Sequence, residues 1–265
     1  MHVSQLFIHP VKSLGGIPVE QFEVDRFGPY LDRRWLVVDE NGHFMTQRQY
    51  AAMALVRTAL SADGQVTLSA PGCVPVSFCA AHYHEGVPVQ VTVWRDRCDA
   101  VTGPAHVDAW LSQYLGVACR LVHMPDNSHR LVDPAYAESG ETVSFADGFP
   151  LLLISEESLQ DLNGRMSIDV GMERFRPNLV VKGTTPFGED GWRRIRVGDM
   201  TFTVAKPCSR CAIPTIDPVT AQKQPEVFKT LKSYRGRDGA VYFGQNLLPE
   251  GAGMIRIGDA VQILD

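Results

Sequence analysis

Two cysteines three positions apart stand between basic residues in KPCSRCAIPTIDP, residues 206–218. Thiols at that spacing admit four readings: half of a zinc site, a redox dithiol, one metal-binding thiolate, or a pair of inert thiols buried as small hydrophobes. A structural zinc site takes four ligands, usually from two such pairs. Only one Cys-x-x-Cys is present, and His82, His84, His123 and His129 form no convincing second pair. A thioredoxin-type dithiol opens a helix in an α/β unit. Here the run TFTVA enters the pair as a strand, and Pro214 and Pro218 oppose a helix after it. The single-thiolate reading has positive support. Lys206 and Arg210 flank the pair and would stabilise negative sulfur, and a soft thiolate suits a soft or redox metal. The motif alone leaves the buried-pair reading open.

Other stretches could hold an anion. HPVKSLGG places Lys12 and Ser13 at a strand end before two glycines, where backbone amides can approach a ligand closely. LDRRWLVV places Arg33 and Arg34 at a strand start, and on an alternating strand only one of them can face a pocket. RFRPNLVV gives Arg174, Arg176 and Asn178, side chains of equal parity, and KSYR adds Ser233 and Arg235. Each has a plain alternative: an exposed turn or a solvent-facing strand edge.

The elements that must position these residues are mostly strands. VSQLFIH (3–9), VEQFEVD (19–25), RWLVVD (34–39), QVTLSA and VPVQVTVW are short and rich in β-branched and aromatic residues. ENGHF carries an Asn-Gly hairpin signal. Val107, Trp110, Leu111, Tyr114 and Leu115 make one helical stripe that Gly116 stops. A second helix begins at Ser155, with Glu156 and Glu157 in its first turn. A short third helix is expected at PEVFKTLKSY. RRIRVGDMTFTV and GMIRIGDAVQIL share a strand, Gly-Asp turn, strand pattern and predict two similar hairpins. Short strands with regular turns suggest a barrel or sandwich. No Pro/Gly/Ser-rich linker divides the chain, and the turn-rich stretch 124–141 is the expected boundary between domains at 1–123 and 124–265.

The chain has 265 residues, net charge −5 and 45% hydrophobic content, as expected of a globular protein of one or two domains. An acidic balance argues against a broad nucleic-acid-binding face while leaving room for a local basic pocket. MHVSQLFIHPVK lacks a targeting pattern and no apolar run could span a bilayer, so a cytoplasmic location without membrane association is expected. Cys73, Cys79, Cys98 and Cys119 are read as structural thiols.

HPVKS, DRRW, SFADGFPLLLISEESLQDLN, RFRPNLVV, KPCSRC, LKSYR, FGQN and IRIGDAVQIL occur in this order. Together they resemble the MOSC-domain proteins, named for the C-terminal domain of molybdenum cofactor sulfurase. The likeness extends to the mitochondrial amidoxime-reducing components and the bacterial reductases of N-hydroxylated compounds, and it runs from residue 3 to 264. It implies a mainly β fold with α (α+β), a MOSC-type β-barrel closely joined to an N-terminal α/β region. It implies Cys211, not Cys208, as the molybdenum ligand. Lys12, Ser13, Arg33, Arg176, Asn178, Ser209 and Arg210 are the implied holders of the pyranopterin and its phosphate. Asp147 is implied to lie near the metal and is a candidate proton donor. Gly148 and Asn246 stand where the mitochondrial members have threonine and tyrosine, so the pocket's shape is expected to differ from theirs. The implied activity is reduction of amidoximes, hydroxylamines and N-hydroxylated bases. No cluster of closely spaced cysteines follows the last strand, so the electrons are expected from a separate ferredoxin or flavin reductase. The rival expectation is a non-catalytic cofactor carrier or sulfur-relay module.

Overall fold

The computed structural model describes every residue except 138 and 139. Its largest sheet orders the strands Val261–Ile263, Arg194–Val197, Met200–Ser209, Ala240–Pro249, Leu151–Ser155, Leu179–Lys182, His2–Ile8 and Ile17–Val19. Only the Leu151–Ser155 and Leu179–Lys182 pair is parallel. A bridge from His2 to Ala260 brings the first strand into contact with the residues that open the last one. The fold is α+β and mainly β, as the sequence implies.

LLLIS (151–155) shows why the centre of this sheet forms. All of its residues are buried. Leu151 and Leu153 enter one apolar core, whereas Leu152 and Ile154 enter another. Leu179 and Val181 divide from Val180 in the same way. A strand buried on both faces reads as a continuous apolar run, with alternate side chains serving opposite sides. Helix α2 (Glu156–Asn163) and helix α3 (Glu226–Arg235) cover the second face through Leu162, Val227 and Leu231. Ser155 caps α2 by accepting a hydrogen bond from the Ser158 amide.

The other half is built on the sheet Trp35–Val38, Arg120–His123, Asp96–Thr102 and Pro88–Val93, antiparallel throughout. Helix α1 (Ala105–Leu115) lays Val107 and Leu111 on its core and stops at Gly116, whose φ of +69° suits a residue without Cβ. No helix among the described residues is long and apolar enough to cross a membrane.

Two local readings change. Gly253–Arg256 and Val261–Ile263 do not form a hairpin. The first pairs with Gln21–Asp25 and the second with Arg194–Val197. Alternation fixes a strand and Gly-Asp its turn, but neither fixes the partner. Residues 172–178 are not a strand either. Met172–Arg174 is a 3-10 turn and Arg176 has φ +56°, so the parity argument for Arg174, Arg176 and Asn178 does not hold.

The segment after His2–Ile8 matters most for the site. It leaves the large sheet, bridges Val11 to Trp35, and buries Val11 and Leu14 in the core of the other half. Lys12 and Ser13 therefore stand where the two halves meet.

Candidate functional site

A cleft opens at that junction, lined from both halves of the chain. Lys12, Ser13, Arg33, Asp147, Arg176, Asn178, Ser209, Arg210 and Cys211 all line it. Thus every residue singled out by the resemblance reaches one cavity, although they come from well-separated segments of the chain.

Long-range hydrogen bonds brace the floor. Lys12 Nζ donates to the Phe145 carbonyl at 2.7 Å and to Asp147 Oδ1 at 2.6 Å. Arg33 donates to Asp32 at 2.5 Å, to Asn178 Oδ1 at 3.0 Å and to the Arg176 carbonyl at 3.0 Å. Arg176 donates to the Leu14 carbonyl at 2.6 Å. Asn178 also receives the Leu152 amide and donates to the Phe7 carbonyl. Ser13, Arg33 and Arg176 each have positive φ, at 66°, 50° and 56°. Such backbone is costly for residues with a Cβ and persists where surrounding contacts impose it, often at functional sites.

The electrostatics favour an anion. Burial pushes Lys12 down to about 8, against the attraction of Asp147. Burial, and then the charge of Arg33, lowers Arg176 as well, although a guanidinium stays protonated near neutrality. Burial pushes His9 down to about 3, so it is neutral and adds no charge. Each of these cations would be relieved by a negative ligand. Arg176 Nη2 and Arg210 Nε are buried and find no hydrogen-bond partner among the described residues. Buried donors left unpaired cost free energy unless a ligand or water meets them.

Asp147 is the acidic member of the cleft lining. Desolvation in the cleft would raise its carboxyl, but Lys12 and the Trp94 indole N–H at 3.0 Å outweigh it and hold the group well below the usual carboxylate range. Its side chain is 65% exposed, so water in the cleft screens the pair. A group ionised this readily has no proton to give near pH 7. Held ionised in this way, Asp147 anchors the Lys12 ammonium and the Trp94 indole.

The two cysteines differ. The Cys208 sulfur receives Arg210 Nη1 at 3.2 Å, and its side chain lies against the apolar core beneath α3. Cys211 is half-exposed and lines the cleft, as Cys208 also does, but the Cys211 thiol has no hydrogen-bond partner among the described residues. No group of three or more His, Cys, Asp or Glu side chains is placed to hold a metal ion among the described residues. A metal here would gain one thiolate from the protein and must bring its other ligands with it.

Some basic residues considered from sequence lie elsewhere. Arg34 pairs with Asp126, Arg174 with Asp217 and Arg235 with Asp190. Ser233 donates to the Thr230 carbonyl within its helix. Lys206 does not reach the cysteines. Its ammonium sits 4.2 Å from the Tyr136 ring centroid and 5.3 Å from that of Phe149. Sequence reasoning also missed Thr46 and Arg48, which line the cleft. TQRQ carries no periodic or turn signal that would have marked them. Gly148 and Asn246 are both in the lining, and a Cβ built at Gly148 would meet nothing within 4 Å.

Comparison with known proteins agrees with this geometry. The family described as the MOSC N-terminal beta barrel domain matches residues 1–118, and that described as the MOSC domain matches residues 140–262. Mitochondrial amidoxime-reducing component 1 of Mus musculus is 34% identical, over 99% of this chain and 82% of that protein. The chain belongs to the MOSC family. Mitochondrial amidoxime reducing component 2 of Rattus norvegicus is 35% identical over 98% of this MOSC chain and 82% of its own length. Molybdenum cofactor sulfurase of Oryza sativa subsp. japonica is 29% identical over 92% of this chain but only 32% of its own length.

Proposed function

We propose that this MOSC protein is a molybdenum-cofactor-dependent reductase of N-hydroxylated compounds, among them amidoximes, hydroxylamines and N-hydroxylated bases. The observation that carries the reading is Cys211: a thiol with no hydrogen-bond partner among the described residues, facing a cleft that also gathers Lys12, Arg33, Arg176 and Arg210. The relatives' names supply the reaction class. In this reading Cys211 is the protein's one bond to molybdenum. Lys12, Ser13, Arg33, Arg176, Asn178, Ser209 and Arg210 hold the pyranopterin and its phosphate dianion, for which clustered Lys and Arg donors are suited.

The cofactor supplies the two-electron chemistry when bound. The net change, R–NH–OH + 2 e⁻ + 2 H⁺ → R–NH₂ + H₂O, needs protons as well as electrons. Lys12 carries an ammonium pushed down to about 8, with its Nζ directed at the Asp147 carboxylate. A bound phosphate favours the charged ammonium, so Lys12 serves to hold the cofactor in the cleft. The electrons come from a separate redox protein of the ferredoxin or flavin-reductase class.

Anaerobic turnover tests the reading. Cofactor-loaded protein, reduced viologen and an amidoxime should give the amidine, and the product should vanish in Cys211→Ala. Cofactor retention with no product in the wild type would instead indicate a carrier.

A further inference from the structure

Among the cations of the cleft, Arg48 is the odd one. Lys12, Arg33, Arg176 and Arg210 all donate to protein oxygen or sulfur. Arg48 lines the same cavity without an ion pair or a hydrogen bond from its side chain among the described residues. What holds it is aromatic: its guanidinium carbon lies 4.3 Å from the Trp94 ring centroid and 5.9 Å from that of Phe44. Stacking uses the π face of the guanidinium and leaves the in-plane N–H fork free.

The shelf beneath it is fixed. Trp94 is 46% exposed, yet its indole N–H is bound to Asp147 and its ring contacts Phe44 with centroids 5.2 Å apart. Its φ is +58°, a conformation costly for so bulky a residue. An exposed aromatic held in strained backbone, carrying an unpaired arginine at the edge of a cleft, is a pre-organised recognition element. The wall beside Asp147 is open at Gly148. Phe149 and Ile213 supply apolar lining.

We propose that Arg48 is a specificity residue that receives a carboxylate on the substrate, so that the preferred N-hydroxylated substrates carry an acid group at a distance from the N–OH. The proposal rests on the reductase reading for the N–OH chemistry, but the anion site stands on the geometry of Arg48, Trp94 and Phe44. The pyranopterin phosphate is the competing anion. It is met by the deeper set, where Arg176 and Arg210 keep unpaired buried nitrogens.

Calorimetry on the molybdenum-loaded protein tests the site without requiring turnover. The probes are 4-carboxybenzamidoxime and benzamidoxime, which differ only in the acid group. Wild-type protein should bind the carboxylated compound about tenfold more tightly, the size of one charge-assisted recognition. Arg48→Gln should abolish that preference while changing the affinity for benzamidoxime less than twofold. Arg48→Lys, which keeps the charge but loses the fork, should retain only part of it. Equal affinities in the wild type, or a preference that survives Arg48→Gln, would overturn the proposal. So would loss of molybdenum from Arg48→Gln, which would place the arginine on the cofactor. Turnover of benzamidoxime, followed separately, reports on the reductase reading. Its absence, with the carboxylate preference intact, would sink that reading and leave the anion site standing.

Discussion

Of two concave regions that gather titratable side chains, the Cys211 cleft and a histidine-lined recess, only the first has the makings of a site. The recess around His82, His84, Glu85 and His106 looks richer in ligand chemistry than the cleft at Cys211. Yet those four side chains are all exposed, and among the described residues they form no group able to hold a metal. The one side-chain hydrogen bond seen for His82 is local, from the Cys79 amide three residues away. In the cleft, by contrast, Arg33 and Asn178 are joined across 145 positions of sequence and Lys12 and Asp147 across 135. Positive φ recurs at its lining residues, and buried donors there remain unpaired. Residue type alone would rank the two regions wrongly. Long-range bracing together with unmet polar groups separates them.

The largest way to sharpen this contrast is Arg33→Ala. Its partner Asp32 is fully buried, and removing one member of a buried pair costs about 3–5 kcal/mol. Chemical denaturation should show that loss, and molybdenum retention should fall with it. Arg176→Ala should act on the cofactor more than on the fold. Losing one charge-assisted bond costs about 1.5–3 kcal/mol, seen as faster molybdenum loss on dialysis with a smaller change in unfolding midpoint.

A milder effect is expected from pH. Lys12 carries its charge below about 8 and loses it above, so anion retention should weaken as pH rises from 7 to 9, and Lys12→Met should remove that dependence. Its stability contribution runs the opposite way. The folded state binds this proton less tightly than the unfolded chain, so the Lys12 contribution grows from about pH 8 up to the ordinary lysine range. The smallest effect belongs to the other recess. Alanine at His82, His84 and His106 together should leave molybdenum content unchanged and shift stability by no more than about 0.5 kcal/mol per site. Metal loss in that triple variant would erase the distinction between the two regions.

Much of the local structure was legible in the sequence because its causes are local. The Ser155 cap, the Gly116 stop and the buried run at 151–155 follow from hydrogen bonding, backbone freedom and alternation within a few residues. The strand partners of 253–256 and 261–263 did not follow, since pairing is settled by distant segments. The cleft was legible only through the ordered set of motifs. No spacing rule connects Lys12 to Asp147 or Arg33 to Asn178, and nothing local distinguishes Arg176, which reaches the cleft, from Arg174, which is bound by Asp217. Arg48 and Trp94 carried no signal at all, because their significance lies in a stack formed between two loops. Lys206 misled for a related reason: adjacency in sequence to the cysteines did not bring its ammonium to them.

The central claim is that the sulfur of residue 211, and not that of 208, is the protein's bond to molybdenum. Molybdenum per chain, measured by elemental analysis of wild-type, Cys208→Ala and Cys211→Ala proteins expressed with molybdate, tests it most directly. The account predicts metal in the wild type, most of it kept in Cys208→Ala, and almost none in Cys211→Ala. Equal metal in the two variants, or loss only in Cys208→Ala, would contradict it.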